Sequence, residues 1–510
     1  MIRLTGRDLA LEDVRSVSRG GVKVALAASA KEGMQASRDL VESRVARGER
    51  VYGVTTGFGR LAEVVISPEE RTLLQSNLIR SHAVGVGQPL SVSQVRAIML
   101  LRANALARGV SGVRITVVER LLEMLERDWI PVVPSAGSVG ASGDLAPLAH
   151  VALTLLGEGE LWIEDERRPS GPVLAAAGAD PLELRAKEGL ALINGTQATT
   201  ALGILALLQA EDALAALEAA GAMSLESLLG TPEAFRPEVS AVRPHPGQSS
   251  SATLQRRLLR DSEIRESHRE GDPRIQDAYA LRCIPQIHGA ARQALEYVRG
   301  VLETEANSVT DNPLIFAEAG AVTSAGNFHA QVVSQALDFA CIALADLAAV
   351  SERRIERLLN PDLSQGLPAF LARRAGLESG YMIAQVTACD LLAEMRVLAH
   401  PASVDSVPTS ANQEDHISMG LTAARKLVRS VECFQYVVAV ELAAAAQGLE
   451  YRRPLRAGVG VEGAHTAVRE ALSPLEGDRS LAAELEGLRH LVDQGRFRAD
   501  VIDPHYRAEP

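Results

Sequence analysis

The sequence predicts a mainly α fold, a long antiparallel helix bundle with Gly-rich loops, and three observations carry that prediction. The chain is 47% hydrophobic but only 3% aromatic, so its core must be assembled from Ala, Leu and Val, which suit packed helices better than an aromatic-filled sandwich. From Asn327 to Leu359 the apolar positions Val333, Leu337, Ala340, Leu344 and Leu347 step by 4, 3, 4 and 3, the spacing of a helix-bundle seam. There is no strand–helix–strand rhythm and no repeat of fixed period.

Taken in order, residues 8–49 alternate short helical runs with charge and read as an N-terminal cap region. Val51 to Arg60 holds three glycines and two threonines and reads as a loop around Tyr52. A helix is expected over 73–82, with His82 in its last turn, where it can meet carbonyls and the helix dipole. Helices over 92–108 and 114–127 follow, separated by Gly109 to Gly112. Ser135 to Gly143 is a small, Gly/Ser-rich loop; Asp144 then opens a helix as its N-cap, continuing through Leu148, Val151 and Leu155.

A polar excursion at 159–180 precedes Asn194-Gly195, a helix-entry turn leading into a helix that runs to about Ala222. Residues 229–275 are rich in Pro, Gly and charge and are expected to form a hinge or mobile surface segment. The long seam is stopped at Pro361; helices recur near 380–398 and 418–446, and shorter charged ones at 463–472 and 480–495.

Composition excludes some function classes. A net charge of −12 argues against nucleic acid or an anionic membrane surface as the main partner. Cys283, Cys341, Cys389 and Cys433 show no zinc-knuckle or paired spacing, so reduced thiols are expected. The longest Ala/Leu segments carry Asp, Glu or Gln within a few turns, and the first residues lack the apolar run of a signal peptide. A cytoplasmic protein without a membrane partner is the expectation. His82, His150, His245, His288, His329 and His416 are too scattered to suggest a metal site, and no nucleophile elbow, phosphate loop or dinucleotide fingerprint is present.

The central loop has chemistry of its own. If Ala141-Ser142-Gly143 is bent tightly, the unhindered amide nitrogen of Gly143 can attack the carbonyl of Ala141. Loss of two waters, one from the Ser142 side chain, then leaves a five-membered ring with an exocyclic methylidene. That is an electrophile which none of the twenty side chains provides. Taken alone, the same loop also reads as a connection or an anion-binding turn.

Five polar interruptions accompany it: Tyr52 to Arg60, Ser81-His82, Asn194, Gln276 to Cys283, and Asn412 to His416, with Gly326 to His329 at the head of the long helix. The run from Gly137 to His150 resembles the signature of the aromatic amino-acid ammonia-lyases. So do the Tyr52 loop, Asn77-Leu78 with Ser81-His82, Ile193 to Gln197 and Asn307 to Pro313. The likeness covers about residues 50 to 420 in order and is looser at both ends. Within the family it is closest to the histidine ammonia-lyases, which convert L-histidine to trans-urocanate and ammonia.

The resemblance implies an ammonia-lyase-like fold and a 4-methylideneimidazol-5-one (MIO) ring made autocatalytically from Ala141, Ser142 and Gly143. It implies a homotetramer whose sites are shared between subunits, and one integrated catalytic unit with an N-terminal region at 1–228 and a bundle with C-terminal helices at 229–510. Carried over by position, Tyr52 resembles the base that takes the β-proton, and it needs an electropositive setting to ionise near neutral pH. Arg282 resembles the clamp on the substrate carboxylate. Asn194 and Tyr279 resemble residues that hold the ring and its developing oxyanion, while Gln276 and Phe328 resemble further pocket groups.

His82 and Glu414 match the histidine branch, since an imidazole and a carboxylate can bond both nitrogens of a substrate imidazole. Thr55, Ala278 and Ala280 depart from that branch: Asn, Pro and Ser are usual there. A tyrosine or phenylalanine lyase, or an aminomutase of the same family, is the alternative; a non-enzymatic helical scaffold is the third reading.

Overall fold

The computed structural model describes residues 1–57, 59–61 and 63–503. Helices make up 58% of it, so the mainly α expectation holds. Phe58 of the Tyr52 loop lies outside the described residues.

The chain divides into two compact units. The first comprises Met1–Leu205, Val298–Asp338 and Pro401–Arg425; the second comprises Ala206–Tyr297, Phe339–His400 and Lys426–Pro510. The chain passes between them five times, once at His400–Pro401 and four times within long helices, Gln197–Ser227, Ile284–Ala306, Gln331–Leu359 and Gly420–Glu450.

In the first unit the central element is the helix Val92–Ala107, started by a capping box in which the Ser91 hydroxyl accepts the Gln94 N–H. It is buried without a break from Val95 to Ala107, charged residues included, because apolar side chains occupy every face. Ile115–Glu126 buries one face only, through Val117, Val118, Leu121, Leu122, Met124 and Leu125.

Short strands hold the loops of this unit. Ile2–Leu4 pairs in parallel with Val24–Leu26, and Val86–Pro89 pairs antiparallel with Pro134–Ala136 in the register Val86 to Ala136. Ile130–Pro131, Glu160–Ile163 and Glu166–Pro169 form a three-stranded sheet, and Leu314–Phe316 pairs with Ala321–Thr323. The polar excursion at 159–180 is thus a hairpin followed by a short helix, Ser170–Ala176.

The second unit is a helical bundle with Leu207, Leu214, Met223, Leu344, Leu358, Phe434, Leu442 and Leu449 in its core. Charges inside it are paired, as burial demands. Arg354 Nε donates to Glu441 Oε1 at 2.6 Å with both side chains fully buried. Burial raises the Glu218 carboxyl, but His288, Arg292 and the Gln255 amide outweigh it and hold the group down at about 2.

Several expectations are corrected. Residues 229–275 are largely helical, with Pro237–Ala241, Pro246–Leu258 and Glu263–Ser267, and they bury Ser251, Gln255, Leu258 and Ile264. The helix Ile284–Ala306 was not among the expected elements.

The seam Val333, Leu337, Ala340, Leu344 and Leu347 is buried within the single chain, so it does not by itself call for a partner. Apolar residues left exposed include Val332, Phe339 and Ile342 on the same helix, and Ile383, Val386 and Val397 on Met382–Leu398. By length and hydropathy Gln197–Ser227 and Gln331–Leu359 qualify as membrane-spanning, contrary to expectation, although 78% and 61% of their apolar windows are buried within the protein.

Candidate active site

The antiparallel pair ending at Ala136 delivers the chain into the Gly/Ser loop. Gly140 there has φ +73°, and a Cβ on it would lie 2.2 Å from the Ser418 hydroxyl, so glycine is required on two counts. At its far end Asp144 occupies the N-cap position of Leu145–Leu155 but makes no side-chain cap bond to that helix. Its buried carboxylate turns to another helix instead. Oδ2 accepts the Thr199 N–H at 2.7 Å, and Oδ1 accepts the Thr199 and Ser138 hydroxyls at 3.0 and 3.1 Å. Burial pushes the Asp144 carboxyl up, and these donors pull it back.

The same two segments are stitched along their backbones. Asp144 N–H donates to the Gly195 carbonyl at 2.7 Å, and Gly143 forms a bridge with Gly195. Gly143 has φ +81°, and a Cβ there would sit 2.4 Å from the Gly195 carbonyl oxygen. Asn194 Nδ2 donates to the Ser142 carbonyl at 2.9 Å, while Asn194 Oδ1 is buried with no hydrogen-bond partner. The tripeptide is therefore held tightly, with an amide donor on its central carbonyl and no room for a side chain at its third residue.

A cavity of about 550 Å³ opens above it. Tyr52, Asn77, His82, Ser142, Asn194 and Glu414 line it with polar groups, and Leu74, Leu78, Leu190 and Ile193 supply apolar walls. The Ser142 hydroxyl donates to Glu414 Oε1 at 2.9 Å, and the Thr409 hydroxyl donates to Glu414 Oε2 at 2.6 Å. Glu414 is in this way fixed by both oxygens.

Tyr52 presents its phenolic oxygen to the Gly59 N–H at 3.2 Å. Burial pushes its pKa up, the Gly59 bond opposes this, and the Glu414 charge adds to the rise. Burial and the Glu414 charge both work against ionisation of the phenol. His82 Nδ1 lies 2.8 Å from the Leu78 carbonyl, so its proton sits there and Nε2 is the acceptor nitrogen. The expected contact of His82 with a carbonyl in its last helical turn and its place in the pocket therefore hold together.

Four expected site residues are not brought here. Gln276, Tyr279 and Arg282 belong to the second unit and do not line this cavity, and Phe328, in the turn before Gln331–Leu359, does not line it either. Tyr279 is 69% exposed, with the Arg282 guanidinium 4.6 Å from its ring centre; Gln276 is exposed too. Arg282 Nε is buried without a hydrogen-bond partner. Among the described residues, no Arg or Lys lines the cavity, so a single chain offers no clamp for a carboxylate.

Sequence reasoning missed Thr409, which fixes Glu414 from the stretch just before Asn412 to His416, and Arg102, which holds Asn194 from behind and lies inside an apolar helix rather than in a polar interruption. Among the described residues no group of three or more His, Cys, Asp or Glu is placed to hold a metal ion.

The family model described as aromatic amino acid lyase matches residues 9–470, most of the chain. The chain belongs to the aromatic amino acid lyase family. It is a carbon–nitrogen lyase. Its relatives include the histidine ammonia-lyase of Anaeromyxobacter dehalogenans, 52% identical over 500 residues that cover 96% of this chain and 98% of that one.

Among solved structures, this lyase is similar to tyrosine aminomutase from Streptomyces globisporus, with TM-score 0.94, 37% identity and 100% of both chains covered. It is also similar to histidine ammonia-lyase from Trypanosoma cruzi, with TM-score 0.91, 39% identity and coverage of 100% of this lyase and 98% of that chain.

Proposed function

We propose that this lyase eliminates ammonia from L-histidine to give trans-urocanate, using an MIO ring formed from Ala141, Ser142 and Gly143. The observation that carries the reading is the placement of His82, Glu414 and Tyr52 around Ser142 in one cavity. The fit of the tripeptide to the ring rests on the backbone: Gly143 has no room for a Cβ, and the Asn194 amide already caps the Ser142 carbonyl. When formed, the ring supplies an electrophile and electron sink for the departing amine.

The chain's own residues do the rest. Tyr52 takes the β-proton of the substrate at its phenolic oxygen. The Asn194 amide donates to the Ser142 carbonyl oxygen, where negative charge gathers, and so acts as an oxyanion donor. His82 Nε2 and the Glu414 carboxylate are both acceptors and suit the two N–H groups of an imidazolium side chain; a phenyl ring would leave both groups unpaired.

The tyrosine aminomutase likeness is the reason to keep a tyrosine or phenylalanine substrate, or an aminomutase outcome, as the second reading. Gln276, Tyr279, Arg282 and Phe328 enter the site from other copies of the chain, in a homotetramer that also covers the exposed Phe339, Ile342, Ile383 and Val386. A reducing, cytoplasmic setting belongs to this reading, with the four cysteines free.

The test is a parallel assay of L-histidine, L-tyrosine and L-phenylalanine, followed by absorbance of the unsaturated acid and, for the aminomutase outcome, by formation of the β-amino acid. It is joined to the intact mass of the protein, which drops by two waters when the ring forms. Urocanate alone with that mass loss supports the proposal; coumarate, cinnamate or a β-amino acid overturns the substrate. A full-mass chain silent on all three overturns the chemistry. Ser142→Ala should keep the fold while losing both the mass change and the activity.

A further inference from the structure

We infer that Arg102 is a positioning residue for the site: its buried guanidinium clamps the Asn194 turn, and through it the Ala141–Gly143 loop. The inference rests on the reading of Asn194 and Ser142 given above. Arg102 lies in the middle of the Val92–Ala107 helix and is among the largest fully buried side chains of the protein. Burying a guanidinium is costly unless its bonds return the loss. Here one nitrogen, Nη1, donates both to the Asn194 carbonyl at 2.8 Å and to Gln197 Oε1 at 2.7 Å, while Nε and Nη2 have no hydrogen-bond partner. A side chain kept only to fill space in this apolar helix would not need that arrangement.

The bonds fall where the backbone matters. A Cβ on Gly195 would lie 2.4 Å from Arg102 Nη1, so the arginine presses directly against the turn that bonds Asp144 N–H and bridges Gly143. Gln197, its second acceptor, donates onward to the Thr310 hydroxyl at 2.8 Å. Next to Thr310, Asp311 pairs with Lys187 Nζ at 2.6 Å, both fully buried. One carboxylate therefore serves two buried cations, because the Asp311 charge also acts on Arg102.

Burial lowers the guanidinium pKa to about 10, still well above neutral, so Arg102 keeps its positive charge. That charge lies behind Asn194, whose amide faces the oxygen that becomes negative in the proposed reaction. Arg102 touches neither cavity nor substrate; it acts by holding Asn194 in place and by favouring that charge.

The variants Arg102→Lys and Gln197→Ala test this in the full-length protein. Lysine keeps the charge, but its ammonium nitrogen ends one bond short of the place from which Nη1 reaches both acceptors; Gln197→Ala removes one acceptor and leaves the Asn194 bond. Amide hydrogen exchange at Asp144, whose N–H bonds the Gly195 carbonyl, and over residues 194–199 reads the clamp without any turnover; residues 142 and 143 carry no amide hydrogen once the ring has formed. It is expected to rise at least tenfold in Arg102→Lys, and less in Gln197→Ala, with the control helix Ile115–Glu126 unchanged. For L-histidine, kcat is expected to fall tenfold or more in Arg102→Lys with KM within twofold of wild type.

Unchanged exchange at Asp144 and over 194–199, or a normal kcat in Arg102→Lys, overturns the role. An equal rise in exchange across the control helix also overturns it, because that marks a general loss of packing. If Arg102→Lys does not fold, Gln197→Ala decides alone, with a kcat loss of two- to fivefold and faster exchange at 194–199 expected, and wild-type values overturning the clamp. Failure of the underlying reading shows separately, as a wild-type protein with neither the two-water mass loss nor urocanate.

Discussion

The Asp144 carboxylate accepts the backbone N–H of Thr199 at 2.7 Å, so the residue that begins one helix caps another. Two hydroxyls join this backbone N–H on the carboxylate, and the Ala198 N–H adds to them. The hydroxyls can rotate to accept, whereas the N–H groups cannot. Asp144→Asn is therefore expected to be tolerated, with its carbonyl on Thr199 N–H and its NH2 toward the hydroxyls, at a cost below ~1 kcal/mol. Asp144→Ala strands all of these donors and should cost about 2–4 kcal/mol. Urea denaturation of the two variants checks the ordering; equal losses would mean that the carboxylate charge, and not its acceptor geometry, is what counts.

The pH dependence of the reaction follows from two facing groups. Burial pushes the Tyr52 phenol up, and the Glu414 carboxylate pushes it further. A phenol acting as base must be ionised, so kcat/KM should rise with pH through the Tyr52 pKa. Glu414→Gln removes one of the two causes of the rise, and the acidic limb should move to lower pH even though turnover of L-histidine falls. A limb that stays in place or moves up would show that Glu414 does not act on Tyr52.

Selectivity is expected to turn on His82. With Nδ1 committed to the Leu78 carbonyl, its other nitrogen is the acceptor facing the cavity. His82→Leu replaces that acceptor with apolar surface. Kinetics with L-histidine and L-phenylalanine should show the preference for histidine falling by 10²-fold or more, the range in which loss of a specific hydrogen-bonding partner operates. An unchanged ratio would remove His82 from substrate recognition.

Much of this architecture was legible because helical periodicity is a long-range signal. Helices expected over 73–82, 92–108 and 114–127 are found at Arg71–His82, Val92–Ala107 and Ile115–Glu126. The misread segment at 229–275 shows why composition alone misleads: Pro237 and Pro246 stand in the first turns of helices, where a missing N–H costs nothing. Strands of two to four residues are too short for alternation to be read.

Tyr52, His82, Asn194 and Glu414 stand in polar interruptions of an apolar helical pattern, and it is the resemblance to the family that gives each of them a role. Arg102 could not be picked out: an arginine in a helix reads as solvated until the helix proves to be buried on every side.

The division of the site between chains can be tested by complementation. Tyr52→Phe removes the base from the cavity, and Arg282→Ala removes the guanidinium that this cavity lacks. Each variant alone should be inactive. If active sites combine Tyr52 of one copy with Arg282 of another, exchanging subunits between the two inactive proteins should restore measurable activity, because some mixed sites carry both residues. A mixture that has exchanged, as shown by mass-labelled oligomers, yet stays inactive would place both residues in the same chain's site.

A last prediction concerns stability and Glu226, at the end of the Gln197–Ser227 helix. Its carboxyl is raised to about 7, first by burial and then by the nearby Glu462 charge, against the pull of the Ser262 hydroxyl, the Gly458 N–H and Arg453. Gly458 N–H lies 3.0 and 3.2 Å from its two oxygens, so the group ties this helix to the start of Val459–Ala471. A carboxyl whose pKa is raised on folding favours the folded state while protonated. That contribution is fully present below the unfolded value of about 4.5 and is lost as pH rises through about 7. The loss is on the order of 3 kcal/mol.

Glu226→Gln keeps an acceptor for Gly458 N–H and cannot ionise. Its melting temperature should therefore match wild type near pH 5 and exceed it above pH 7, with a flatter profile between. A variant equally destabilised at every pH would show that the hydrogen bonds of Glu226, and not its proton, set the stability there.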